Sequence, residues 1–201
     1  MFIRTENFKQ YTKLYPVVST LIGLNLLAFI LTSLPILGDQ IYFGGMHING
    51  LIAQGELWRV VTAMFLHAGF LHLLFNMFSL YLFGPELEKM AGKARFLTIY
   101  LSAGIGGSLA TFILHHSGYA SVGASGAIFG IFGAYGAILV RHRRTTPQLR
   151  QILLPIIVIS VILTFLQSNV NAASHIGGLI VGFLLGMFYF TPKNMMRWRN
   201  R

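Results

Sequence analysis

Six apolar stretches separated by short polar connections leave this chain very few ways to fold. They run over 17–37, 60–83, 96–114, 125–140, 149–166 and 175–190. A helix that crosses a bilayer needs about 20 apolar residues, and it must satisfy its backbone polar groups internally. Charged residues make up only 10% of the chain and hydrophobic ones 55%. An average soluble domain is about 25% charged, so the exterior here has to face lipid. The expectation is an all-α, polytopic membrane bundle with six transmembrane helices in residues 17–190. A segment 1–16 precedes it and a basic tail 191–201 follows. The first stretch is too long for a signal peptide, and five more follow it. With no cysteine in the chain, disulfides, a Cys nucleophile and thiolate metal sites are excluded.

The net charge of +10 is explained by position. An even number of spans puts both termini on one side. All but one of the 15 Lys and Arg residues then fall on that side. They are Arg4, Lys9 and Lys13; Lys89, Lys93 and Arg95; Arg141, Arg143, Arg144 and Arg150; and Lys193, Arg197, Arg199 and Arg201. The positive-inside rule makes this side cytoplasmic, so the chain is expected in the cell membrane with both termini in the cytoplasm. The charge reads as topology and contact with the lipid bilayer, and not as nucleic-acid binding. The exception, Arg59, closes the one long outer connection, 38–59, next to Trp58, an interfacial anchor type. That connection either lies among the headgroups or carries function.

Strongly polar groups at membrane depth are expensive and face a cavity or a partner. Here they are His67, His72 and Asn76 in the second span, Ser125 opening the fourth and His175 opening the sixth. Counting up from the cytoplasmic ends at about 1.5 Å per residue puts Ser125, His175 and His72 at one level, about 21–24 Å up. His47, His115 and His116 in outer loops and His142 in an inner loop read as solvated. Gly178, Gly182 and Gly186 run in a stripe beneath His175, and Gly126, Gly130 and Gly133 run beneath Ser125. Small residues at this spacing let membrane helices approach closely. Packing of these two stripes would bring Ser125 and His175 together; packing without chemistry is the plainer alternative.

A serine hydroxyl becomes a nucleophile when a base lies within hydrogen-bond reach. His175 is the candidate base. Asp39 and Glu56 lie in the first outer connection and Glu6, Glu86 and Glu88 on the cytoplasmic side. No carboxylate is available at depth, so the pattern predicts a Ser–His dyad, with Phe129 one turn below Ser125 placed to stack on the imidazole. His72 and Asn76, four apart on one helix face, are candidate donors to an oxyanion, joined by the Ser125 backbone N–H. Interhelical hydrogen bonding is their alternative role. His67 is expected to make a structural hydrogen bond to the first loop. The His67–His72 spacing is not that of a zinc helix, and no Asp, Glu or Cys completes a set, so no metal and no cofactor is expected.

These residues resemble a known family. Glu56-Leu57-Trp58-Arg59, His67 with His72-x-x-x-Asn76, Gly123-Ala124-Ser125-Gly126 and Ser174-His175-x-x-Gly178-x-x-x-Gly182 are similar, in order and span assignment, to bacterial rhomboid proteases. The resemblance covers almost the whole chain, as a bare six-helix core without an added cytoplasmic domain or seventh span. It implies an intramembrane serine endopeptidase that cleaves transmembrane protein substrates in or near their helices. It implies Ser125 as nucleophile, His175 as base and His72 and Asn76 as oxyanion support. Gly123, Gly126, Gly178, Trp58, Arg59 and His67 are implied as structural neighbours of the site. It also implies a gate formed by the fifth span and the 167–174 loop. Ser174 and Phe129 depart from the family's usual Ala and Tyr. A non-catalytic rhomboid-like scaffold or chaperone and a transporter are the competing readings.

Overall fold

The computed structural model describes residue 2 and residues 4–142 and 147–191. Arg143, Arg144, Lys193, Arg197, Arg199 and Arg201 lie outside the described residues. In chain order the elements are α1 (Phe8–Leu14), α2 (Pro16–Thr32), α3 (Gly38–Gly45), β1 (His47–Ile48), α4 (Asn49–Ala53) and α5 (Arg59–Thr62). A single 3₁₀ turn, Ala63–Phe65, leads on to α6 (Phe70–Ala91) and α7 (Lys93–Leu114). Then come β2 (Ala120–Ser121), α8 (Ser125–Arg141), α9 (Pro147–Leu166) and α10 (Ala172–Tyr189).

Local chemistry sets several of these boundaries. Asn7 and Gln10 form a reciprocal capping box on α1. Pro16 opens α2, where a missing N–H costs nothing. The free N–H groups of Val17 and Val18 donate to the Glu88 carboxylate at 3.1 and 2.9 Å. Glu88 is therefore buried at the foot of α6, where it caps α2. At the same end Arg4 pairs with Glu86 at 2.8 Å, holding the N-terminal segment against the bundle.

One expectation changes. The stretch 60–83 is not one helix: Arg59–Phe65 makes short helical turns, Leu66 is extended, and α6 starts only at Phe70. Apolar composition marks burial and not helicity, and Arg59, Ala63 and Met64 of these turns are buried by packing on the protein. The helical fold also carries one two-residue strand pair. β1 and β2 pair antiparallel, His47 opposite Ser121 and Ile48 opposite Ala120, tying the first outer connection to the segment before α8.

Helices α6, α7, α9 and α10 are long and apolar enough to cross a membrane, and α1–α2, bent by 112°, counts as a fifth span if taken as one. The protein is a multi-pass membrane protein with a helical bundle. α8 is shorter, and from Gly126 to Leu139 all but Gly136 is buried. A helix apolar all round and enclosed by protein is a core element, so lipid thickness does not dictate its length. α8 and α10 are in backbone contact. A Cβ added at Gly178 would strike the Gly126 carbonyl, and one at Gly182 would strike Gly130. α9 lies outside this core with most of its side chains exposed.

Candidate active site

The site forms where the first turns of α8 and α10 meet the upper part of α6. Gly123 precedes α8 with φ +133°, a region that disfavours side chains, and its N–H donates to the Ala63 carbonyl at 2.9 Å. A Cβ there would lie 2.8 Å from His72 Cε1 and Nε2 and 3.8 Å from Ser125 Oγ. The His72 ring edge, the Gly123 backbone and the Ser125 hydroxyl thus converge on one point. Gly126, the next turn of backbone, is free of a side chain where Ser174 of α10 presses against it.

His175 stands in the first turn of α10 and is buried. Its ring lies flat on Phe129 of α8, with centroids 4.0 Å apart and planes 15° apart. Phe129 is one helical turn below Ser125, so the stack holds the imidazole against the helix that carries the hydroxyl. Ser125 and His175 make no hydrogen bond to each other. On its other edge His175 Nδ1 meets Thr164 Oγ1 of α9 at 2.8 Å. Sequence reasoning missed Thr164. The available signal was that Ser160 and Thr164 are the only polar side chains in 152–166.

Asn76 is buried one turn below His72 and donates to the His72 carbonyl at 2.8 Å, within its own helix. The amide's second N–H remains for another partner. His67 corrects an expectation. Among the described residues it makes no hydrogen bond to the first loop; its buried ring packs edge-on against His72 at 5.0 Å between centroids. Trp58 and Arg59 instead fasten the first outer connection. Trp58 Nε1 donates to Gly44 O at 3.1 Å, and Arg59 donates to Phe43 O and Met46 O at 2.6 and 2.7 Å while paired with Glu56.

His47, expected in solvent, is only 1% exposed. Its Nε2–H donates to Asn49 Oδ1 at 2.7 Å, and burial holds its pKa below the ordinary histidine value. Asn49 in turn donates to the Thr111 and Phe112 carbonyls at the end of α7 and to the His115 carbonyl just beyond it. His47 also lines a small polar cavity behind Ser125, with Ser108, Thr111, Asn171 and Ser174. Such a lining suits ordered water. Of the other three loop histidines, His115 is half-buried and stacks on Tyr119, and His142 is half-buried beside the Phe190 carbonyl.

Residues 54–192 match the family model described as Rhomboid domain. Over 197 residues the chain is 42% identical to a Bacillus subtilis (strain 168) protein named "Putative rhomboid protease YdcA", covering 96% of this chain and 98% of that one. It is 44% identical over 152 residues to "Rhomboid protease GluP" of the same organism, covering 74% of this chain and 29% of GluP. It is 39% identical over 145 residues to "RHOMBOID-like protein 5" of Arabidopsis thaliana, covering 68% of this chain and 45% of that relative. The chain therefore spans nearly all of one relative and less than half of the other two. It belongs to the rhomboid family.

Proposed function

We propose that this chain is an intramembrane serine endopeptidase that uses a Ser125–His175 dyad to hydrolyse peptide bonds in or near transmembrane helices of membrane proteins. The observation that carries the reading is the flat His175–Phe129 stack one turn from Ser125, with the His72 ring edge and the Gly123 backbone beside the same hydroxyl. His175 Nε2 takes the proton as Ser125 Oγ attacks the substrate carbonyl carbon. The oxyanion that forms is met by N–H groups of His72, Asn76 and the Ser125 backbone, the last free because it opens a helix. His175 returns the proton to the departing amine. Water, activated by the same imidazole, then releases the acyl group and regenerates Ser125. The cavity behind Ser125 is a reservoir for that water.

In this reading six spans cross the cell membrane, α2 and α8 included, with both termini cytoplasmic. The basic residues of the N-terminal segment, of 89–95 and of 141–150 then share one side. Exposed α9 and the 167–174 loop form the gate through which a substrate helix reaches the site.

The test uses the full chain in lipid vesicles with a single-span model substrate and a serine-directed fluorophosphonate probe. Ser125→Ala and His175→Ala are each expected to abolish cleavage while the protein stays folded, and their losses are not additive. Ser125→Ala also abolishes labelling. Robust cleavage by folded Ser125→Ala sinks the mechanism, and a wild-type chain that neither cleaves nor labels favours the scaffold.

A further inference from the structure

The hydrogen bond between Thr164 and His175 lies outside the dyad and donor set described above. Thr164 is 3% exposed, and within 154–166 it is the only buried side chain of α9. Its hydroxyl sits between two partners: Oγ1 donates to the Ser160 carbonyl at 2.9 Å and lies 2.8 Å from His175 Nδ1.

A threonine hydroxyl has one proton and two lone pairs. With the proton committed to Ser160, the contact with His175 is made only if Nδ1 carries a proton and Thr164 accepts it. The other tautomer forces Thr164 to abandon the Ser160 carbonyl and donate to Nδ1. The Nδ1–H tautomer keeps both bonds of a hydroxyl that is only 3% exposed and the other keeps one, so the arrangement that satisfies both prevails. A neutral imidazole protonated on Nδ1 has its lone pair on Nε2, which is the form able to accept a proton from Ser125. The opposite tautomer carries a proton on that nitrogen and cannot act as base.

We infer that Thr164 is a positioning residue for His175: it holds the imidazole in the tautomer competent as base, and because it belongs to α9 it makes that competence depend on where α9 stands. This extends the serine-protease reading and rests on it. An aspartate fills such a place in three-residue serine sites. A carboxylate among these apolar helices would be costly to bury. A hydroxyl performs the orienting part of the task without a charge. It contributes no full countercharge to the imidazolium, so its removal costs far less than loss of the dyad. Outward displacement of α9 lengthens the Thr164–His175 bond and frees the ring to change tautomer. A substrate that holds α9 apart without restoring this bond would be cut slowly.

The experiment compares wild type, Thr164→Val and Thr164→Ser as full chains in bilayers. Valine keeps the branched shape and removes the hydroxyl; serine keeps the hydroxyl. We expect Thr164→Val to lower kcat about ten- to a hundredfold, the range of a hydrogen bond to a group that becomes charged, with KM unchanged. Thr164→Ser is expected to recover most of the rate. The ring ¹⁵N shifts of His175, assigned by its loss in His175→Gln, should show the Nδ1–H tautomer in wild type and a shift toward Nε2–H in Thr164→Val. Wild-type kcat in folded Thr164→Val, or a rate in Thr164→Ser no better than in Thr164→Val, overturns the inference. So does an Nε2–H tautomer in wild type, a measurement that needs no variant to fold. Failure of the underlying reading looks different: wild type then shows no Ser125-dependent cleavage, while its tautomer still decides whether Thr164 orients the ring.

Discussion

His175 is held from two sides by helices of opposite character. α8 touches α10 backbone to backbone, at Gly126 with Gly178 and at Gly130 with Gly182, and only the small Ser174 side chain presses in at Gly126. α9 reaches the core through Leu149, Leu153 and Thr164, and presents Ile152, Leu154, Val158, Ile159, Ile162 and Leu163 outward. Phe129 grips one face of the imidazole from the first helix; Thr164 grips one edge from the second. Glycine-to-glycine contact fixes distance because backbone cannot yield. Aliphatic side chains against lipid gain little from any one position, since lipid tails are as apolar as they are. On the proposed reading, the separation of Ser125 and His175 is set by a close-packed pair of helices, and a finer adjustment falls to the more exposed α9.

The largest effect should come from breaking the rigid side. Gly182→Leu puts a branched side chain into the Gly130 backbone and should prevent α8 and α10 from closing. Thermal unfolding is expected to shift far down and cleavage to vanish with it. Ile159→Ala on α9, at a position 55% exposed, should leave the melting curve almost unchanged. A normal melt for Gly182→Leu would mean the glycine contact is not what joins the helices.

Next in size come His72 and Asn76 on α6, the proposed oxyanion donors. Loss of one preorganised donor typically lowers turnover by about 10²–10³. His72→Ala and Asn76→Ala are each expected to cleave at that reduced rate, with substrate binding little changed and the serine probe still labelling slowly. Asn76 already spends one N–H on its own helix, and alanine is the better helix former, so α6 itself should not weaken. Single-turnover rates in bilayers, recorded beside thermal stability, separate a loss of catalysis from a loss of fold. Asn76→Ala cleaving at the wild-type rate would return Asn76 to a packing role.

The rigid half was the more legible of the two in the sequence, for a physical reason. Glycines at helical spacing leave a pattern in one dimension, and Ser125 and His175 cap those patterns. The stack of Phe129 follows from its place one turn along. Thr164 was illegible because a threonine in an apolar helix already has an explanation in its bond to the carbonyl four residues back. Only the crossing of α9 over the start of α10 makes it more, and no spacing encodes that. His47 failed similarly. Its loop looks polar, yet pairing with Ser121 and the bond to Asn49 bury it through contacts far apart in the chain. The break before Phe70 was hidden because buried turns and spans share the same apolar composition.

The smallest expected effect compares the two grips directly. Phe129→Leu keeps the bulk beneath Ser125 and removes the flat face on which His175 rests. A stacked aromatic pair is worth about 0.5–1.5 kcal/mol beyond its buried area, so the rate should fall about two- to twelvefold. Phe129→Tyr keeps the ring and should retain the wild-type rate. Phe129 and Thr164 act on one imidazole, so their removal should not be independent. Once Thr164→Val has released the ring edge, the stack alone no longer fixes the orientation of Nε2, and further loss from Phe129→Leu should be smaller than in the parent. Residues in one network show coupling of about 0.5–3 kcal/mol, within reach of a double-mutant cycle on single-turnover rates. Strictly additive losses would mean the two residues serve different steps, the stack setting the ring's distance from Ser125 and the hydroxyl acting elsewhere. Coupling that disappears when α9 is cross-linked to α10 would locate the adjustable part of the site in the movement of α9.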